Sequence, residues 1–118
     1  MKRSEYLTAA AECELNESVI KRVEDKYKCR LPDIVKHIIS FSQESIFFDD
    51  GYRCLSLDEI VDAEIDLHVD FLERQIIPLF DCGENDFIVY NFASLSWSKF
   101  NIVDDCTFKT RKYINELF

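Results

Sequence analysis

The chain has 118 residues, 47% of them hydrophobic, with ten Phe, five Tyr and one Trp. That is one domain with enough apolar mass for a core of its own, which excludes general disorder and a tandem of domains. The formal charge of −9 disfavours binding to nucleic acid or to anionic lipid and favours a basic partner, although acidic surfaces also serve solubility.

The acid is concentrated. Between residues 49 and 86 stand twelve Asp and Glu against only Arg53 and Arg74, a local charge of −10. The flanks are close to neutral. The five cysteines, at 13, 29, 54, 82 and 106, form no Cys-x-x-Cys and no Cys/His pair at zinc-finger spacing. An odd count and a start without an apolar run imply free thiols in a reducing cytosol and no secretory signal. No window is apolar enough for a membrane span. Gly and Pro occur twice each, so Pro32, Gly51, Pro78 and Gly83 mark boundaries.

Residues 1–15 are the least determined stretch. Ala9-Ala10-Ala11 favours helix, but a terminal segment of this kind is expected to fray. Asn16 is a good N-cap for a helix over 17–28, with Val19, Ile20, Val23 and Tyr27 on one face at the 3.6 period. Leu31-Pro32 opens a second helix to about residue 42, with Pro32 at its first position and Ile34, Val35, Ile38, Ile39 and Phe41 on a broad apolar face. Ser45 to Phe48 and Tyr52 to Leu55 read as strands around the turn Asp49-Asp50-Gly51. Ser56-Leu57-Asp58-Glu59 is a capping box that starts a third helix, expected to about residue 62. From 65 to 71 apolar and polar residues alternate, a strand period that competes with a helical reading to about 73.

Ile76 to Phe92 is the most legible stretch. Ile76 to Phe80 is a strand, with Pro78 confined to a strand start or an edge. Cys82 to Asp86 is turn chemistry. Phe87 to Tyr90 is apolar without alternation, as in a strand covered on both faces. Trp97 to Val103 is expected to be the last strand. Thr107 is expected to cap a final helix with Tyr113, Ile114 and Leu117 on its buried stripe. Helices at the front, middle and end around consecutive strands predict an α+β fold with an antiparallel sheet of four to six strands.

Three pieces in order carry a resemblance: Val19-Ile20-x-x-Val23-Glu24 leading to Leu31-Pro32, then Leu55-Ser56-Leu57-Asp58-Glu59-Ile60, then Ile77-Pro78-Leu79-Phe80-Asp81-Cys82-Gly83-Glu84-Asn85-Asp86-Phe87. With them, residues 16–118 resemble the SUKH superfamily in its Smi/Knr branch, named after fungal cell-wall synthesis regulators. The chain departs from that pattern in having few glycines after the Ile-Pro strand and none in Leu95-Ser96-Trp97. The resemblance implies an α+β fold and a binding role without catalysis. Bacterial members resemble immunity proteins that neutralise a toxin, often a nuclease or deaminase; fungal members are linked to cell-wall synthesis and signalling.

Catalytic, metal and cofactor chemistry finds no support in the residues. His37 sits among Ile34, Val35 and Ile38 and reads as structural. Glu64 and His68 lack further ligands at zinc spacing, Asp81 to Asp86 lacks the EF-hand order, and no phosphate-binding glycine motif is present. The expected activity is therefore stoichiometric binding of a basic protein, such as a toxin domain. The expected contacts are Asp49, Asp50, Asp58, Asp62, Asp81, Glu84 and Asp86, with Phe48, Tyr52 or Trp97 as aromatic anchors where exposed. A regulatory scaffold in cell-wall synthesis or signalling is the alternative.

Overall fold

The computed structural model describes residues 1–118. Three helices come first: α1 (Arg3–Glu12), α2 (Glu17–Tyr27) and α3 (Asp33–Phe41). The Asn16 side chain accepts from the Val19 N–H, as a cap should, and Pro32 stands just outside α3 at its cap. The two-residue strands β1 (Ile46–Phe47) and β2 (Arg53–Cys54) flank the Gly51 turn. Then come three short helices, α4 (Leu57–Val61), α5 (Ala63–Leu67) and α6 (Phe71–Arg74), and the strands β3 (Ile76–Gly83), β4 (Asp86–Asn91), β5 (Ser96–Asn101) and β6 (Cys106–Arg111). All six strands form one antiparallel sheet in sequence order.

Directly opposed residues share a face of the sheet. One row is Arg53, Asp81, Phe87, Phe100 and Thr107; the next is Cys54, Phe80, Ile88, Lys99 and Phe108. On the Phe80 face lies α1, with the Tyr6 ring edge-on at 5.8 Å. On the Phe100 face lies α6, with the Phe71 ring at 6.1 Å, and α4 reaches the same face through Glu59 on Arg53. Both faces are covered, so Phe87 to Tyr90 are all buried, as their unbroken apolar run predicts. Across the layers the Tyr27 hydroxyl of α2 donates to the Ile60 carbonyl at 2.7 Å. Pro78 is tolerated inside β3 because β2 pairs only from Phe80 onward and a register irregularity follows it.

Three expectations are corrected and one open reading is resolved. The N-terminal stretch does not fray: α1 places Tyr6 and Ala10 in the core, both fully buried. The helix expected to about residue 62 and the helical stretch to about 73 are three short helices, because the backbone leaves helical geometry at Asp62 (φ −94°, ψ 9°) and turns left-handed at His68. The open choice over 65–71 falls to the helical reading, with α5 running to Leu67 and α6 starting at Phe71; Ile65 is 73% exposed while Val69 is buried. The final helix is absent. Thr107, Phe108 and Thr110 are strand formers with an open edge of β5 to pair with, and they build β6. Of the apolar stripe expected there, Ile114 and Leu117 are buried, held by a single 3-10 turn, Ile114–Glu116, with the Phe118 ring 4.8 Å from Phe80, while Tyr113 is 57% exposed.

Candidate functional site

The meander brings three turns to one end of the sheet. Because Arg53 faces Asp81 and Asp86 faces Asn101, the β1–β2, β3–β4 and β5–β6 turns lie side by side there. The Ile102 N–H donates to the Asn85 carbonyl at 3.0 Å, tying two of them together. This end carries Asp49 and Asp50, Glu84 and Asp86, and Asp104 and Asp105. Turn chemistry puts them there. Gly51, Gly83, Glu84, Asn85 and Asp105 have positive φ, and Asp50 and Asp81 accept from the backbone two residues on, Tyr52 at 3.1 Å and Gly83 at 2.8 Å.

Much of the acid is already answered. The Met1 amine pairs with Asp49 at 2.9 Å, Arg3 with Asp50 at 2.6 Å, and Arg74 with Asp105. Glu84 and Asp104 are exposed and make no ion pair, and Asp86 accepts only from the Asn101 amide at 2.8 Å. Asp58 lies on α4 and Asp62 caps its C-terminal end; Asp58 pairs with Arg22 of α2 at 3.1 Å, and Asp62 is exposed.

Asp81 points into a bridge across the sheet. Arg53 Nη1 and Nη2 donate to the two Glu59 oxygens at 2.8 Å each, and Nη2 also donates to Asp81 at 3.3 Å. Glu59 completes the α4 capping box, its Oε1 accepting from the Ser56 N–H at 3.0 Å. The Arg53 bonds hold the Glu59 carboxyl below its ordinary range, so it stays ionised near neutrality and is no proton donor there. A pocket of about 90 Å3 beside this bridge is bordered by Asp66 and Leu67.

Two of the three expected aromatic anchors are buried. Trp97 and Phe48 are 2% and 5% exposed. Tyr52 is half-buried under the Arg3 guanidinium, 4.2 Å above its ring, and its hydroxyl accepts from Lys99 at 3.1 Å. The exposed aromatic beside the acidic turns is Phe47, at 68%. Strand alternation in Ile46-Phe47-Phe48 was the signal for it, since burying Phe48 turns its neighbour outward.

The sulfur chemistry is quiet. Burial pushes the Cys13, Cys29 and Cys54 thiols up, and Cys82 up to about 11, away from the thiolate a nucleophile needs. Cys13 Sγ lies 3.9 Å from His37 Nδ1, a pairing the sequence did not reveal, and its S–H also donates to the His37 carbonyl. No three His, Cys, Asp or Glu side chains are grouped to hold a metal ion. No helix is long and apolar enough to cross a membrane.

Fold and site together define a single-sheet α+β protein with an acidic turn end. No family model matches the chain, and no curated protein and no solved structure is found to be similar to it.

Proposed function

We propose that this chain is a non-enzymatic cytosolic binding protein of the SUKH type, an immunity protein that neutralises a toxin by direct binding through its acidic turn end. The observation that carries the reading is the convergence of three acidic turns on one end of the sheet beside the exposed Phe47. Glu84, Asp86 and Asp104 supply charge that no internal cation answers. A basic substrate-binding face of a nuclease or deaminase is the complementary surface, and occluding it needs no chemistry from the inhibitor. Charge of this kind chiefly raises the association rate and the specificity, while a buried aromatic anchor supplies affinity. The raised thiols and the locked Glu59 also fit a molecule that binds rather than turns over.

The test is coexpression with the product of the adjacent gene. The wild type should rescue growth and copurify; a Phe47→Ala, Glu84→Lys, Asp104→Lys triple variant should fold normally by circular dichroism and lose both. Full protection by that variant overturns the acidic-end mechanism. The regulatory-scaffold reading, which the Smi/Knr resemblance also favours, predicts instead a growth defect on deleting the gene in cells that make no toxin.

A further inference from the structure

The opposite end of the sheet carries a second surface of different character. A groove of about 470 Å3 runs between the start of α3, α1 and the sheet. Leu7, Ile34, Tyr90 and Trp97 form its floor, and Leu95 and Tyr113 stand on its rim, 66% and 57% exposed. Lys112 is the one charged residue that lines it. Arg111, opposite Trp97 in the ladder, is exposed beside it. Neither cation makes an ion pair; Lys112 rests 5.5 Å from the Tyr113 ring and Arg111 donates only to a backbone carbonyl.

Leu95 is the telling residue. The β4–β5 and β5–β6 turns are built alike. In each an Asn ends the strand and its side-chain oxygen accepts two backbone N–H groups. Asn91 takes those of Ala93 and Ser94 at 2.9 and 2.8 Å, and Asn101 those of Val103 and Asp104 at 3.0 and 2.8 Å. In each the fourth turn residue is left-handed, Leu95 at φ 55° and Asp105 at φ 58°. Asp tolerates that conformation; a bulky apolar residue is strained in it. The same turn thus holds a residue that suits it at one end of the sheet. At the other it holds one that is strained, exposed and apolar, on the lip of an apolar groove. Strain of this sort persists where a contact repays it.

We propose that this groove binds an acidic segment of a partner protein, its apolar side chain seated against Leu95 and Tyr113 and its carboxylates on Lys112 and Arg111. The charge selects the occupant: the one charged side chain that lines the groove is a cation, Lys112, and Arg111 stands beside it, so an acidic segment is drawn to this side of the groove. A second copy paired edge to edge is disfavoured. β6 carries Lys109 and Arg111, and its ladder with β5 is broken where Lys109 takes a φ of 52°, devices that keep an edge from pairing with itself. The surface is separate from the acidic end and does not depend on the function proposed above.

The probe is a fluorescein-labelled synthetic peptide with adjacent Leu and Phe flanked by glutamates, titrated with the full chain by fluorescence anisotropy. It should bind, and weaken as salt is raised; the same peptide with lysines for glutamates should not bind. Lys112→Glu should weaken binding by about tenfold. Leu95→Gly should raise the unfolding midpoint, by relieving the turn, and yet weaken the peptide by about fivefold or more. No binding, equal binding of the lysine peptide, or unchanged affinity in both variants overturns the proposal. So does sedimentation showing that the chain alone assembles and that Leu95→Gly dissociates it, which would make a second copy the occupant.

Discussion

Replacing Tyr6 by Ala tests whether α1 belongs to the fold or merely lies on it. Tyr6 is fully buried, with its ring against Phe41, Phe48, Phe80 and Phe118, and its hydroxyl bonds the buried Ser42. Truncating a buried aromatic costs about 3–5 kcal/mol, and leaving the Ser42 hydroxyl short of a partner adds to that; ~4 kcal/mol is a fair central value. In a domain with a total of about 5–15 kcal/mol, this is a large share. With a urea slope of ~1.5 kcal/mol/M, the midpoint should fall by ~2.5 M. Tyr6→Phe keeps the ring and should cost about 1 kcal/mol. Thr8→Ala, on the exposed side of α1, should stay within about 0.5 kcal/mol. Urea unfolding followed by circular dichroism measures all three. A Tyr6→Ala midpoint no lower than that of Thr8→Ala would falsify the claim that α1 is part of the core.

Other outcomes follow from single contacts. The folded Glu59 carboxyl titrates below its ordinary value of 4.5, so the stability it contributes is complete above that value and is lost as pH falls through the folded one. Glu59→Gln should flatten stability against pH in that window. Because the side chain is 36% exposed, the difference should be no more than about 1 kcal/mol after solvent screening; a parallel pair of pH–midpoint curves would count against the bridge. Glu84 and Asn85 are both left-handed in the β3–β4 turn, and Asn suits that conformation better than Glu, so Glu84→Asn should raise stability by about 0.5–1 kcal/mol in thermal melts. Under a thiol reagent at pH 8, the exposed Cys106 should react first. The buried Cys54 should react only as the chain opens and the half-buried Cys82 slowly, and fast labelling of Cys82 would contradict its raised thiol.

Much of this fold was legible because local chemistry and long-range packing agreed. The Asn16 cap, the Ser56–Glu59 box and the β3–β4 hairpin were all readable from spacing and turn residues, and the structure keeps each of them. The failures came where tertiary pairing decided. Cys106 to Arg111 has no strong local signal, and an unpaired edge of β5 made it a strand. Tyr6 and Leu7 before an alanine run announce no particular core contact; the partners of Tyr6 lie 35 or more residues away in sequence. The repeated Asn-initiated turn was also hidden, because Phe92-Ala93-Ser94-Leu95 and Ile102-Val103-Asp104-Asp105 share geometry but not residues.

Charge was legible as a sum and not as a placement. The run from 49 to 86 reads as one acidic block, yet folding divides it three ways. Asp81 is spent on Arg53, and Asp58 on Arg22 of a distant helix. Asp49, Asp50, Glu84 and Asp86 go to the turn end, where Asp104 joins them from outside the block. The cations of residues 109–112 go the other way, to the Leu95 end of the same sheet. An antiparallel meander forces this separation. Alternate turns must lie at opposite ends, so acids in the first, third and fifth hairpin connections add, while a residue in the fourth stands apart from them. A net charge of −9 therefore coexists with one end crowded with acid and another that carries the exposed, unpaired Arg111 and Lys112. A partner that engages one end leaves the other free.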